Sequence, residues 1–495
     1  MTGADAAFSS SETYFSGVVS FLDGPEAAAM EHGELESSLQ TRSQELFRLL
    51  YQDHVDLRAE REQPLATVTD VRGVSRPNVE AGHLRALATI FGAITVGRLA
   101  YRRKGHANLH PADGLLNLPE ERHSHGLRRL AAIEAARGAY EAAAAAIKRA
   151  TGQQVGKRQV EALVSRAATD VEAFYAERVH EEVTVSDVLV VSCDGKGIVV
   201  LPDALREATK RAAEEAENKL RTRLSKGEKH GRKRMATVAA VYDLTPVPRT
   251  PEDIFGTETE RRVIPPKAKN KWLTASVVSD AAQVVGQMFD EAERRDPEHR
   301  RTWVALVDGN NHQIDRIRAE AEHRGIRITI VIDLIHVVEY LWKAVWCFFT
   351  EGDPAAEVWV RERGVAVLEG SARKVAAGIR RRATAEHVGA SRREGADACA
   401  EYLVNKATYL DYPTALSSGW QIATGVIEGA VRYLCKDRMD ITGARWGLEG
   451  AEAVLKLRAV ISNGDFDDYW RFHLSRERQR VHESRYAGQT IPVAA

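Results

Sequence analysis

No apolar run in the sequence approaches the roughly 18 residues that a membrane-spanning helix needs, so a membrane protein is not expected. The opening residues, "MTGADAAFSS", lack a basic segment followed by an apolar stretch. No secretory signal is therefore expected, and the expected location is the cytoplasm. Cysteine is scarce: Cys193, Cys347, Cys399 and Cys435 are the four, with no C-x-x-C pair and no zinc-ligand spacing. That argues against a disulfide scaffold or a zinc module and for free thiols in a reducing compartment. Charge of one sign is not in excess, the formal net charge being −1. This argues against a chain that is basic throughout, as many nucleic-acid-binding domains are, but local clusters of charge are untouched by it. Phosphate-loop and nucleophile signatures are missing too: there is no G-x-x-x-x-G-K-[ST], no G-x-G-x-x-G opening a helix, and no G-x-S-x-G. "DGKG" at Asp194 lacks the second aspartate that an aspartyl-phosphate loop carries two residues on.

What is present is an ordinary globular composition, 44% hydrophobic and 28% charged, in 495 residues. At about 100–200 residues per domain, that length allows two to four domains. Residues 1–83 read as a polar, helical N-terminal region, with one helix in "SSLQTRSQELFRLLYQDHVDLRAEREQ" and a loop in "ATVTDVRGVSRPN". Residues 84–180 open with a β-hairpin centred on Gly92, "LRALATIFGAITVGRLAYRRKG". An Ala-rich helical stretch follows, and within it "YEAAAAAIKRATGQQVGKRQVEALVSRAA" outlines a helix-turn-helix. Its second helix opens with Lys157 and Arg158, where a recognition helix meets DNA; the competing reading is a plain helical hairpin.

At about residue 184 the character changes. "VSDVLVVSCDGKGIVVL", "MATVAAVYDL", "WLTASVVS", "TWVALVDGN" and "IRITIVIDL" read as strands, in the order β-β-β-α-β-α-β-α. Helix-separated strands imply parallel pairing, and the first three are close enough for a meander, so a mixed five-stranded α/β sheet is expected over 184–345. A charged stretch, "REATKRAAEEAENKLRTRLSKGEKHGRKR", interrupts it and reads either as a solvated insertion or as a phosphate-contacting arm. Residues 346–415 read as a helical insertion, basic in "ARKVAAGIRRRATAEHVGASRRE". Residues 416–475 read as closing helices of the same core, and 476–495 as a polar tail. Trp342, Trp346 and Phe348 stand near helical spacing and read as core.

Three carboxylates end the most hydrophobic strands: Asp194, Asp308 and Asp333. Active sites of open α/β sheets lie beyond the carboxyl ends of the strands. A carboxylate leaving a buried strand must be solvated, paired or metal-bound. The competing reading for each is a turn former or helix N-cap. Oxygen-only clusters of this kind suit Mg²⁺ or Mn²⁺. A glutamate, Glu428, stands near the start of the apolar and basic helix "TGVIEGAVRYLCKDRMDITGARW", among Arg432, Lys436, Arg438 and Arg445. On its own that helix admits an i, i+4 salt bridge with Arg432, worth about 0.3–0.5 kcal/mol, or a metal-ligand role.

Together with "SCDGKG", "DPEHRRTWVALVDGNNHQ", "VIDLIHVVEYLWKA", "GAEAVLKLRAVISNGDFDDYW" and "FGAITVGRLAY", that helix resembles DDE-type insertion-sequence transposases of the bacterial Kra type, the IS-Kra family. The likeness runs from about residue 85 to 475. It implies an RNase H-like catalytic core carrying Asp194, Asp308 and Glu428, with Asp333 retained as an alternative second aspartate. It also implies Asp333 and His336 as an accessory D-x-x-H. The implied chemistry is two-ion, Mg²⁺- or Mn²⁺-dependent cleavage at the ends of an insertion sequence, followed by strand transfer into target DNA. Terminal inverted repeats and target DNA are then the partners, bound by a homo-oligomer, with no membrane and a nucleoid-associated location. Lys196, Arg432, Lys436, Arg438 and Arg445 would lie toward DNA, with a solvent-facing loop lysine as the other reading of Lys196. The alternatives are an RNase H-like nuclease without strand transfer and a catalytically decayed DNA-binding protein.

Overall fold

In the computed structural model, residues 7–179, 186–215, 232–256, 263–441 and 443–493 are described. They form two compact units, one of residues 1–176 with 465–495 and one of residues 177–464. The expected charged arm falls for the most part outside the described residues; its start is a helix, Glu207–Glu214. No helix of the described residues is long and apolar enough to cross a membrane. The four cysteines are buried and form no disulfide.

The first unit begins with helices Ser9–Asp23 and His32–Glu60, where one helix was expected. The stretch read as a loop contains a small ladder, β1 (Val68–Thr69) against β2 (Ser75–Arg76). The hairpin is longer than its sequence pattern: β3 (Asn78–Thr89) pairs antiparallel with β4 (Gly92–Arg102). Its first half, Asn78–Gly82, was missed: it is exposed throughout, and only Val79 and Ala81 alternate there before Gly82. The reversal lies at Ile90–Phe91, and Gly92, at φ 145°, opens β4 where it was expected to centre the turn.

Helices Tyr140–Thr151 and Lys157–Ala167 form the helix-turn-helix outline, the first ending on Gly152 in the left-handed region at φ 68°. Lys157 and Arg158 are exposed in the first turn of the second helix. A buried ionic network ties this region to the helix Phe466–Val481. Arg128 reaches Glu477 at 2.9 Å, and Asp170 accepts from His473 at 2.6 Å and from Arg480 at 3.0 Å. Burial alone would raise the Asp170 carboxyl, but these hydrogen bonds outweigh it and hold it at about 2. The segment expected to close the core, 416–475, is thus divided. Leu448–Ser462 stays with the sheet, whereas Phe466–Val481 belongs to the first unit, held there by Tyr469, His473 and Glu477.

The second unit is built on one sheet of β5 (Val188–Val199), β6 (Lys233–Leu244), β7 (Ala268–Ser276), β8 (Trp303–Val307) and β9 (Ile328–Ile332). Their order is β7-β6-β5-β8-β9. β5, β6 and β7 pair antiparallel, whereas β5–β8 and β8–β9 pair parallel. This is the mixed sheet expected from the order of elements. The meander is joined by long links, residues 200–232 and 245–267; the helix Ala281–Arg295 carries the chain from β7 across to β8, and Asn311–His323 is the crossover between the parallel neighbours β8 and β9. β8 is buried at every position, as a strand covered on both faces must be. In chain order, helices Leu334–Val345, Pro354–Leu368, Ala372–Ala385, Ala390–Asn405 and Tyr412–Ser417 come between β9 and the Glu428 helix, which itself packs on β5 and β6.

Candidate metal centre

Asp194 does not end its strand. β5 continues to Val199, because Gly195, Lys196 and Gly197 stay paired with Thr237, Ala236 and Met235 of β6. What ends near Asp194 is the parallel half of the sheet. Leu189, Val190 and Val191 stand opposite Trp303, Val304 and Ala305, and the Ser192 hydroxyl donates to the Leu306 carbonyl at 2.5 Å. Counting on in that register brings Asp194 level with Asp308. On the other side Val307 pairs with Ile332, so the next residues are Asp308 and Asp333, and the Asp333 N–H donates to the Val307 carbonyl at 2.8 Å. The three aspartates therefore form one row across three neighbouring strands, which are spaced about 4.8 Å apart.

Each carboxylate is held differently. Asp194, partly buried, accepts from its neighbour Gly195 N–H at 2.6 Å and from Gln313 Nε2 at 3.3 Å. Its carboxyl is raised above the ordinary range, first by burial and further by the charge of Asp308. Asp308 Oδ1 accepts from the Asn310 N–H at 2.8 Å, and Gly309 between them sits at φ 93°. Asp333 is buried and caps the helix Leu334–Val345 through the Ile335 N–H at 2.8 Å. The N-cap reading of Asp333 therefore holds together with its place in the row. Burial raises its carboxyl, and Glu428 adds to the rise, while hydrogen bonds from Thr424 and Ile335 oppose it.

Glu428 stands in the first turn of Gly425–Val431, and its partner there is Thr424. The Thr424 hydroxyl lies within hydrogen-bonding reach of both Asp333 Oδ2 and Glu428 Oε1, the latter at 3.0 Å. Asp333, His336 and Glu428 each offer a ligand atom, and these atoms all lie within 4.8 Å of one another. Such a group of oxygens with one imidazole can hold a metal ion. The expected triad of Asp194, Asp308 and Glu428 is not such a group among the described residues. Glu428 is drawn toward Asp333 and His336, because the Thr424 bridge and the Asp333 helix cap fix it there.

The basic residues around Glu428 divide. Arg432 and Lys436 are exposed, but a π turn, Arg432–Lys436, interrupts the helix and breaks the i, i+4, i+8 alignment with Glu428. The ion pair of Arg432 runs to Asp437 at 3.7 Å, where the sequence pointed to Glu428. Arg438 is 3% exposed, its guanidinium 4.6 Å from the Trp446 ring centre, so the expected DNA contact from it is not available. Lys196 reaches Asp440 at 3.1 Å, and Arg445 is exposed. Trp346, read as core, is 37% exposed beside Trp342.

Sequence reasoning missed three residues. Thr424 was legible as the i−4 neighbour of Glu428, but nothing in the sequence linked it to Asp333. Tyr402 and Lys406 arrive from the helical insertion. The Tyr402 hydroxyl lies 3.3 Å from the Asp308 carbonyl, and Lys406 donates to Asn311 Oδ1 while feeling the Asp308 charge. No local pattern marks either residue.

No protein-family model matches the chain, and no curated protein does. Among solved structures it is similar to the Drosophila P element transposase strand transfer complex, at 10% identity over 74% of this chain and 82% of that one, with a TM-score of 0.23. A score that low carries no argument, so the functional reading rests on the residues themselves.

Proposed function

We propose that the chain is a DNA transposase with an RNase H-like core, cleaving the ends of an insertion sequence and joining them to target DNA. The observation that carries the reading is the row of Asp194, Asp308 and Asp333 across the parallel half of the sheet. A glutamate from a helix beyond a helical insertion meets that row. The IS-Kra resemblance of the sequence motifs supports the same assignment.

The donors fit Mg²⁺ or Mn²⁺: they are mostly carboxylate oxygens, and the burial that raises Asp194 and Asp333 is relieved by a nearby cation. Asp194 and Asp308 would hold an ion on one side, and Asp333, His336 and Glu428 on the other. Bound divalent ions would supply activation of the attacking oxygen and charge stabilisation of the leaving 3′-oxygen. The chain's own residues then orient these ligands. Thr424 ties Glu428 to Asp333, Gln313 steadies Asp194, and Tyr402 braces the Asp308 backbone. On this reading Asp333 and His336 are ligands as well as accessory residues. Lys157 and Arg158 bind duplex DNA near the terminal repeats, Lys436 and Arg445 contact backbone near the site, and the working form is a homo-oligomer on DNA in the cytoplasm.

The test is a cleavage and strand-transfer assay on DNA carrying the element's ends, with Mg²⁺ or Mn²⁺. Asp194→Ala, Asp308→Ala and Glu428→Ala should each abolish cleavage while leaving DNA binding. Full activity in Glu428→Ala refutes the assignment. Cleavage without joining of pre-cleaved ends assigns a nuclease, and binding without cleavage under any divalent ion assigns a decayed DNA-binding protein.

A further inference from the structure

The basic stretch of the helical insertion has no role in the site above, and it borders a groove of about 420 Å³ between the helices Pro354–Leu368 and Ala372–Ala385. Trp359, Arg363, Ser371, Lys374 and Arg382 line it. The Arg363 guanidinium lies 4.2 Å from the Trp359 ring centre, and Arg382 lies 4.7 Å from the rings of both Phe348 and Phe349. Cations are thus held over aromatic faces at its edge. The groove also holds one acid, Glu362, whose carboxylate is taken by Arg363 at 2.8 Å.

Two observations point to a ligand. Trp359 is 4% exposed, and its indole N–H is buried with no acceptor, although buried donors are as a rule satisfied. Arg373, Lys374, Arg380 and Arg381 are exposed, and none is held in an ion pair with another described residue. Of the five cations from Arg373 to Arg382 only Arg382 is paired with a described residue, Glu386 at 2.7 Å, so the other four leave positive charge unbalanced beside an unused donor.

We infer that this groove binds the phosphodiester backbone of duplex DNA, with Lys374 and Arg363 neutralising phosphates and the Trp359 N–H donating to a phosphate oxygen. The inference rests on the DNA-acting reading, but it concerns binding and not chemistry. Neutralised phosphates appear in the salt dependence of affinity, by about 0.9 in the slope of log K against log salt for each charge. Sequence-independent contacts weaken all sequences alike.

The experiment measures fluorescence anisotropy of a labelled duplex with the full-length chain, in chelator so that no strand is cut, at several salt concentrations. Lys374→Ala should lower the slope by about 0.9, and Lys374→Ala with Arg363→Ala by about 1.8, equally on unrelated sequences. Lys374→Arg should restore the wild-type slope. Trp359→Phe, which keeps an aromatic ring but removes the indole N–H, should weaken binding several-fold at constant slope. An unchanged slope in Lys374→Ala, whose side chain is exposed and whose melting curve checks that it folds, overturns the inference. A change in tryptophan fluorescence on adding inorganic phosphate alone that is lost in Trp359→Phe, with the DNA slope unchanged in Lys374→Ala, overturns it as well. Metal-dependent cleavage by the wild type, scored separately, distinguishes the failures: cleavage with an unchanged slope removes only the groove, and a changed slope without cleavage removes only the transposase.

Discussion

Replacing Asp333 separates its structural role from its metal-binding role. Its side chain makes two hydrogen bonds, to the Ile335 N–H at 2.8 Å and to the Thr424 hydroxyl. Asp333→Ala removes the helix cap, a loss of about 1 kcal/mol. It also deprives the buried Thr424 hydroxyl of one acceptor, although Glu428 Oε1 remains at 3.0 Å. The sum is about 1–2 kcal/mol, and at about 2–4 °C per kcal/mol for a unit of this order the melting temperature should fall by roughly 2–8 °C. Asp333→Asn keeps the cap acceptor and the shape while removing a buried charge beside Glu428, so in chelator it should melt within about 3 °C of wild type or above it. Mn²⁺ reverses the ranking. At a concentration about 100 times its dissociation constant an ion stabilises a protein by about 2.7 kcal/mol, which corresponds to a rise of roughly 5–10 °C in wild type. Asp333→Asn should lose most of that rise, because it has lost a charged ligand. The assay is a thermal melt of each protein with chelator and across a Mn²⁺ series. If Asp333→Asn gains as much as wild type at the same half-saturation, Asp333 is no ligand, and Asp308 alone is the second catalytic aspartate.

Three further outcomes are expected. In chelator, the doubly substituted Asp194→Asn, Asp333→Asn protein should be more stable than wild type at neutral pH, with the gap closing as pH falls. Both carboxyls are raised above their usual 3.8, so the folded protein binds their protons more tightly, and wild type loses stability as pH rises from 3.8 through the raised values; a pH-independent gap in melting temperature would count against the raised carboxyls. Gly309→Ala should cost on the order of 1–3 kcal/mol, since φ is 93° and a Cβ would sit 2.6 Å from the Tyr402 hydroxyl. The cost should shrink in a Tyr402→Phe background, and equal costs in both backgrounds, read by denaturant titration, would show that Tyr402 does not brace the Asp308 loop. Finally, Lys157→Ala with Arg158→Ala should leave stability unchanged and lower the salt slope of binding to terminal-repeat DNA by about 1.8; an unchanged slope leaves this element as a plain helical hairpin.

Much of the core was legible because its signals are local. Continuous apolar runs marked β5, β8 and β9, and the spacing of strands and helices gave three antiparallel neighbours followed by two parallel strands. Asp308 and Asp333 were visible as polar residues leaving such runs. Asp194 was located correctly but misread as a strand end, since Gly195 and Gly197 look like a turn until β6 is seen to pair with them. The longer hairpin and the helix Ser9–Asp23 were missed although apolar residues recur in both, Phe15, Val18, Val19 and Leu22 at helical spacing among them; most of these side chains stay exposed.

What the sequence by itself determined is therefore the kind and order of elements and the acidic residues at the mouth of the sheet. These follow from hydrophobic period and from the cost of burying a carboxylate, both written in neighbouring residues. Only the tertiary structure decided how the acids group. Register fixed the row of three aspartates, and a threonine four residues before Glu428 drew that glutamate to Asp333 and His336. It also turned Arg438 inward over Trp446 and assigned the Phe466–Val481 helix to the first unit. Each of these outcomes depends on which distant backbone lies alongside, and no local pattern of residues encodes that.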